Sequence, residues 1–128
     1  MTVERRTVDS LFEPPGYAHV AIASGRAVFT AGAVPLNDAG QLVGEGVREQ
    51  TRQVIENLLA QLAAGGAQPD DVVKTTVYVV ADERATLTEA WDVVRTSALA
   101  GAPSTLLGVA ALGYDGQLVE IEAVAVVD

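Results

Sequence analysis

The stretch at 50–79, QTRQVIENLLAQLAAGGAQPDDVVKTTVYV, changes its hydrophobic period once, and that change decides the fold. Val47, Thr51, Val54, Ile55, Leu58, Leu59 and Leu62 recur at the spacing of one helix face, with Arg48, Glu49, Arg52 and Glu56 opposite. The pattern predicts a helix over 47–63. Gly65-Gly66 ends it, because glycine tolerates the left-handed conformation that closes a helix. Residues 72–80, VVKTTVYVV, are then dense in β-branched side chains and read as a strand.

Upstream, 18–32 (AHVAIASGRAVFTAG) reads as a hairpin: Val20, Ile22, Val28 and Phe29 are its apolar positions and Ser24-Gly25-Arg26 its turn. Residues 35–46, with three glycines, Asn37 and Asp38, read as loop. Downstream, Asp82 is placed to cap a second helix over 83–98, whose buried stripe is Leu87, Trp91, Val94 and Ala98. The sequence AGAP at 100–103 breaks that helix. Residues 104–112 and 117–127 read as strands, with Asp115-Gly116 a hairpin signal between them. The expectation is a single α+β domain over 1–128, with both helices on one face of a sheet.

Composition narrows the function. Seventeen acids oppose eight basic residues, for a formal net charge of -9. The basic residues are scattered, whereas a phosphate backbone or an anionic membrane needs a clustered basic face, so neither nucleic acid nor membrane is expected as a partner. There is no cysteine for disulfide or thiolate chemistry, and one histidine, His19, gives no multi-histidine metal site. No metal or cofactor is assigned. No apolar run approaches the roughly 20 residues that span a bilayer, and the N-terminus has no apolar signal core, so the cytoplasm is the expected compartment.

The predicted strands are apolar on both faces. In 72–80, Val73, Thr75, Val77 and Val79 alternate with Val72, Thr76, Tyr78 and Val80. Two helices cover one sheet face and no element is left for the other, so other subunits are expected to cover it. In the last strand, LVEIEAVAVV at 118–127, Glu120 and Glu122 share one face. A carboxylate among apolar neighbours needs a partner or water. That face is therefore either wet or lines a cleft between subunits.

The segments at 50–79, GAVPLN (32–37) and VEIEAVAVV (119–127) resemble the Rid family, the reactive intermediate deaminases also called YjgF-like proteins, and GYAH (16–19) adds a weaker match. The resemblance implies a chorismate-mutase-like α+β fold with a mixed sheet. It also implies a homotrimer with three small-molecule clefts, each between neighbouring subunits. Family members typically hydrolyse imines and enamines such as 2-aminoacrylate to a ketoacid and ammonia. Some are described as ribonucleases or translation inhibitors, which the acidic balance here argues against.

By this resemblance Glu120 is the water-orienting carboxylate, Tyr17 closes the pocket and Gly32 is the glycine of the hairpin loop. The serine before that glycine is Ala31 here, and the asparagine of the second helix is Thr88. The arginine that holds the substrate carboxylate is Thr105, in PSTL at 103–106. Without that fork the cleft is expected to carry the negative field of Glu120 and Glu122, and so to favour a neutral or cationic ligand. Each residue also has a plainer reading. Glu120 can be a carboxylate in a wet cleft, hydrogen-bonded to Thr105 or water. Glu122 can be structural, Thr105 a good β-former, Tyr114 turn-flanking rather than a cover, His19 packing, Trp91 core and Gly32 a tight turn. Three functions stay open: an imine or enamine hydrolase, a non-catalytic binding or regulatory trimer, and a member repurposed for a biosynthetic step.

Overall fold

A computed structural model describes residues 3–128. The elements run β1 (Val3–Arg6), β2 (Val20–Ala23), β3 (Arg26–Phe29), α1 (Val47–Ala64), a 3-10 turn (Pro69–Asp71), β4 (Val72–Val80), α2 (Arg84–Val94), β5 (Ser104–Val109) and β6 (Val119–Val127). Strands β1 and β2 form an antiparallel pair, and the other four form a mixed sheet in the order β3-β6-β4-β5. Only β4 and β5 run parallel. A parallel pair needs a crossover, and α2 supplies it.

Both helices pack on one sheet face, giving the expected α+β class. Leu58 and Leu62 of α1 and Val94 of α2 meet Val77, Val79, Val119 and Ile121 there, all almost fully buried. Burying each such side chain contributes about 1.5–3 kcal/mol. Two polar side chains share this interior. Gln50 donates to the carbonyls of Gly44 and Gly116 and accepts from the Leu118 amide, tying two loops to α1. Thr51 donates to the Val47 carbonyl one turn back.

Neither expected hairpin forms as a ladder. Strand β2 pairs with β1, and β3 pairs with β6. The chain turns at Gly25 (φ +140°), where an added Cβ would stand 2.2 Å from the Val127 carbonyl oxygen. That close approach seats β3 against β6. Strands β5 and β6 lie on either side of β4, so the turn at Asp115-Gly116 reverses the chain without pairing its flanks. Two smaller expectations also change. Glu83, not Asp82, occupies the N-cap of α2, and no side chain caps it. A bulge between Val72 and Lys74 moves Val72 to the helix-covered face.

The opposite face is half-exposed and carries Ala27 and Phe29 of β3, then Glu120, Glu122, Val124 and Val126 of β6. Beyond them lie Lys74, Thr76, Tyr78 and Val80 of β4, and Thr105, Leu107 and Val109 of β5. Phe29 is 75% exposed. Both glutamates lie on this open face.

Candidate functional site

Glu120 is held from two directions. Its neighbour Ile121 is bridged to Ala33, which brings Gly32 over the Glu120 side chain. A Cβ at Gly32 would lie 2.2 Å from Glu120 Oε2, so only glycine fits that approach. The backbone there is not left-handed, so close contact with the carboxylate, rather than a tight turn, is what requires glycine. On the other side the buried Gln117 amide donates to Glu120 Oε1 at 3.1 Å and to the Val119 carbonyl at 3.0 Å. Gln117 Oε1 accepts the Tyr114 amide, so the turn carrying Tyr114 is linked to Glu120 through one side chain. Tyr114 itself is 53% exposed.

The segment under Gly32 is fixed by α1. Asn57 donates to the carbonyls of Val34 and Leu36, and Gln61 donates to that of Ala31. Thr30 accepts the Ala123 amide on its hydroxyl. Ala31 is exposed and brings a methyl where the resemblance has a hydroxyl.

Glu122 pairs with the Tyr78 hydroxyl at 3.2 Å. Burial, and then this carboxylate, push the Tyr78 phenol above its usual value. Thr105 is exposed, and Lys74 Nζ donates to its Oγ1 at 2.6 Å. Thr105 therefore meets an ammonium and not Glu120. Within the sheet, Thr105 is opposite Thr76, which is opposite Glu122. At about 4.8 Å per strand and about 3.3 Å per residue, the Thr105 and Glu120 Cα atoms lie roughly 12 Å apart.

Tyr17 lies elsewhere. Its ring meets those of Trp91 and His19 edge-on, with centroids 6.0 and 6.2 Å away. With Pro15, Ser104 and Leu106, Tyr17 and Trp91 line a cavity of about 280 Å³ beside β5. Trp91 is half-buried and packs against the core, and its indole N–H donates to the Pro15 carbonyl. His19 is bonded to Val8 and Phe12 backbone groups and steadies the loop before Tyr17. Thr88 is exposed on α2 and spends its hydroxyl on the Arg84 carbonyl.

One chain thus brings together Glu120, Gly32, Ala31 and the Tyr114 turn, and leaves Thr105 on β5, Tyr17 against the other face of β5 and Thr88 on α2. Sequence reasoning missed Gln117 and Lys74. Gln117 sits just before the strand that carries Glu120, and Lys74 sits inside an otherwise uncharged strand. Among the described residues no cluster of metal-ligating side chains forms, and no helix is long and apolar enough to cross a membrane.

These features can be set beside known proteins. The family model described as Endoribonuclease L-PSP matches residues 12–127, and the chain belongs to that family, the Rid or YjgF proteins. It is 43% identical over 68 residues to a RutC family protein of Pyrococcus abyssi, covering 52% of this chain and 54% of that one. The chain thus spans about half the length of that curated relative. It is 36% identical over 104 residues to the 2-iminobutanoate/2-iminopropanoate deaminase of Salmonella typhimurium, covering 80% of each. Among solved structures, the Rid-family protein YyfB of Yersinia pestis superposes with a TM-score of 0.89 at 34% identity, covering 99% of this chain and 100% of that one.

Proposed function

We propose that the protein hydrolyses a small imine or enamine in the cytoplasm, with Glu120 as the group that positions and deprotonates water. The observation that carries this is the seating of the Glu120 carboxylate between the Gly32 backbone and the Gln117 amide, on a half-exposed sheet face. A water held by Glu120 adds to the imine carbon. One proton passes through the carboxylate to nitrogen to give a carbinolamine, and the second follows from its hydroxyl as the C–N bond breaks, so that ammonia and a carbonyl product leave.

The proposed assembly is a homotrimer whose open faces meet, with the small-molecule cleft between neighbours. Its support is the apolar open face with Phe29 outermost, and the separation within one chain of the Glu120 group from Tyr17, Thr88 and Thr105.

The reacting end of the substrate is taken as neutral or cationic. Glu120 and Glu122 supply the charge there, and among the described residues no basic group lies within 4.0 Å of either. A protonated imine suits that field. The carboxylate of 2-iminopropanoate adjoins the imine carbon and does not suit it, and Thr105 offers no guanidinium fork. The acidic balance, at -9, favours this reading over a ribonuclease role.

A non-catalytic binding trimer, or a member repurposed for a biosynthetic step, is the second reading. It is favoured by Ala31 and by the inward-turned hydroxyl of Thr88. The test follows ammonia release from imines with and without an adjacent carboxylate, in wild type and Thr105→Arg. Turnover of carboxylate-free imines is expected in wild type, with 2-iminopropanoate gaining in Thr105→Arg. Rapid wild-type turnover of 2-iminopropanoate would overturn the substrate assignment. Ligand binding without any turnover would favour the second reading.

A further inference from the structure

Gln117 is only 4% exposed and spends both of its N–H groups. Its Nε2 donates to the Val119 carbonyl and to Glu120 Oε1, and its own Oε1 accepts the Tyr114 amide. The backbone closes the same turn, because the Gln117 N–H donates to the Tyr114 carbonyl. The side-chain amide therefore has one orientation. Turned over, it would set its oxygen against a carbonyl and a carboxylate, and its NH2 against an N–H, and all three bonds would be lost. Glu120 Oε1 thus always meets a donor. Oε2 differs: no hydrogen bond reaches it among the described residues, and Gly32 has no Cβ to cover it.

We propose that Gln117 is a positioning residue for the hydrolysis: it reserves Oε1 of Glu120 as an acceptor and leaves Oε2 as the oxygen that exchanges protons with water and substrate. This rests on the hydrolase reading above and adds to it the reacting atom. An unheld carboxylate on a half-exposed face turns among several rotamers and aims a given oxygen for only part of the time. One donor, itself locked by the Tyr114 amide and the Val119 carbonyl, removes that freedom. Gln117 has no N–H left for a substrate, so it acts through Glu120 alone. Its loss should therefore appear in kcat and not in KM.

The test compares wild type, Gln117→Met and Thr51→Val. Methionine keeps the length of glutamine and donates nothing. Thr51→Val removes a buried hydrogen bond of α1 that does not touch Glu120, and so controls for a loosened core. The readouts are the three-bond NMR couplings of the Glu120 side chain, kcat and KM for a carboxylate-free imine, and Tm. One Glu120 rotamer is expected in wild type and in Thr51→Val, and several in Gln117→Met. There kcat should fall about tenfold with KM unchanged, the loss of one charge-assisted bond. Several rotamers in wild type, one in Gln117→Met, or the same loosening in Thr51→Val overturns the positioning. Freed rotamers with an unchanged kcat, or with a change in KM alone, overturn it too. Freed rotamers in Gln117→Met, with a wild type that hydrolyses no imine, overturn the hydrolase reading and leave the hold on Glu120 standing. If Gln117→Met does not fold, the Gln117 NH2 resonances in Glu120→Gln decide. The proton facing Glu120 is expected to move upfield while the one facing Val119 stays, and no movement of either overturns the hold.

Discussion

The backbone of Gly32 lies against the carboxylate of Glu120, so closely that a Cβ there would stand 2.2 Å from Oε2. Gly32→Ala must therefore displace either the loop or the carboxylate. Overpacking of this kind costs about 1–3 kcal/mol, and a misplaced catalytic group loses about a hundredfold in rate. Turnover is expected to fall by about that factor with a modest drop in Tm. A variant with wild-type kinetics would show that the contact does not position Glu120.

Phe29 is the outermost apolar side chain of the open face. Phe29→Glu puts a charge where the subunits are proposed to meet, next to the acidic strand β6. Sedimentation should give a trimer for wild type and smaller species for the variant. A monomeric wild type, or a variant of unchanged mass, would contradict the assembly.

Tyr78 gives a pH dependence with a definite sign. Burial and the Glu122 carboxylate raise its phenol above the ordinary 10.0, so the fold favours the protonated form. The stability this contributes is complete below the unfolded value, near pH 10, and is lost as pH rises through the higher folded value. Tyr78→Phe should lose stability less steeply than wild type above pH 10, as Tm against pH would show. Equal slopes would mean that the pairing with Glu122 carries no such linkage.

The helix over 47–63 and the strand over 72–80 were legible because each keeps a single period along its whole length. Their pairing was not. Gly25 and Asp115-Gly116 mark turns, but a turn signal does not say whether its flanking strands pair with each other or separate onto other partners. Polar residues at apolar positions were the other gap. Gln50 and Gln117 are buried because each satisfies several backbone groups at once, and no periodicity encodes that. Glu120 and Gly32 could be placed by resemblance, and they meet. The Lys74 contact could not, because Thr105 drew attention to a missing arginine and not to the lysine one strand over that donates to its hydroxyl.

The central claim is that Glu120 performs acid–base chemistry on an imine, and its most direct measurement is kcat/KM for ammonia release by wild type and Glu120→Gln on a carboxylate-free imine. Glutamine keeps the shape and can still face Gln117, but it cannot take a proton. The expected result is measurable turnover in wild type and a fall of about a hundredfold to ten-thousandfold in Glu120→Gln. Equal rates for the two proteins, or no rate above the spontaneous hydrolysis in either, would contradict the claim.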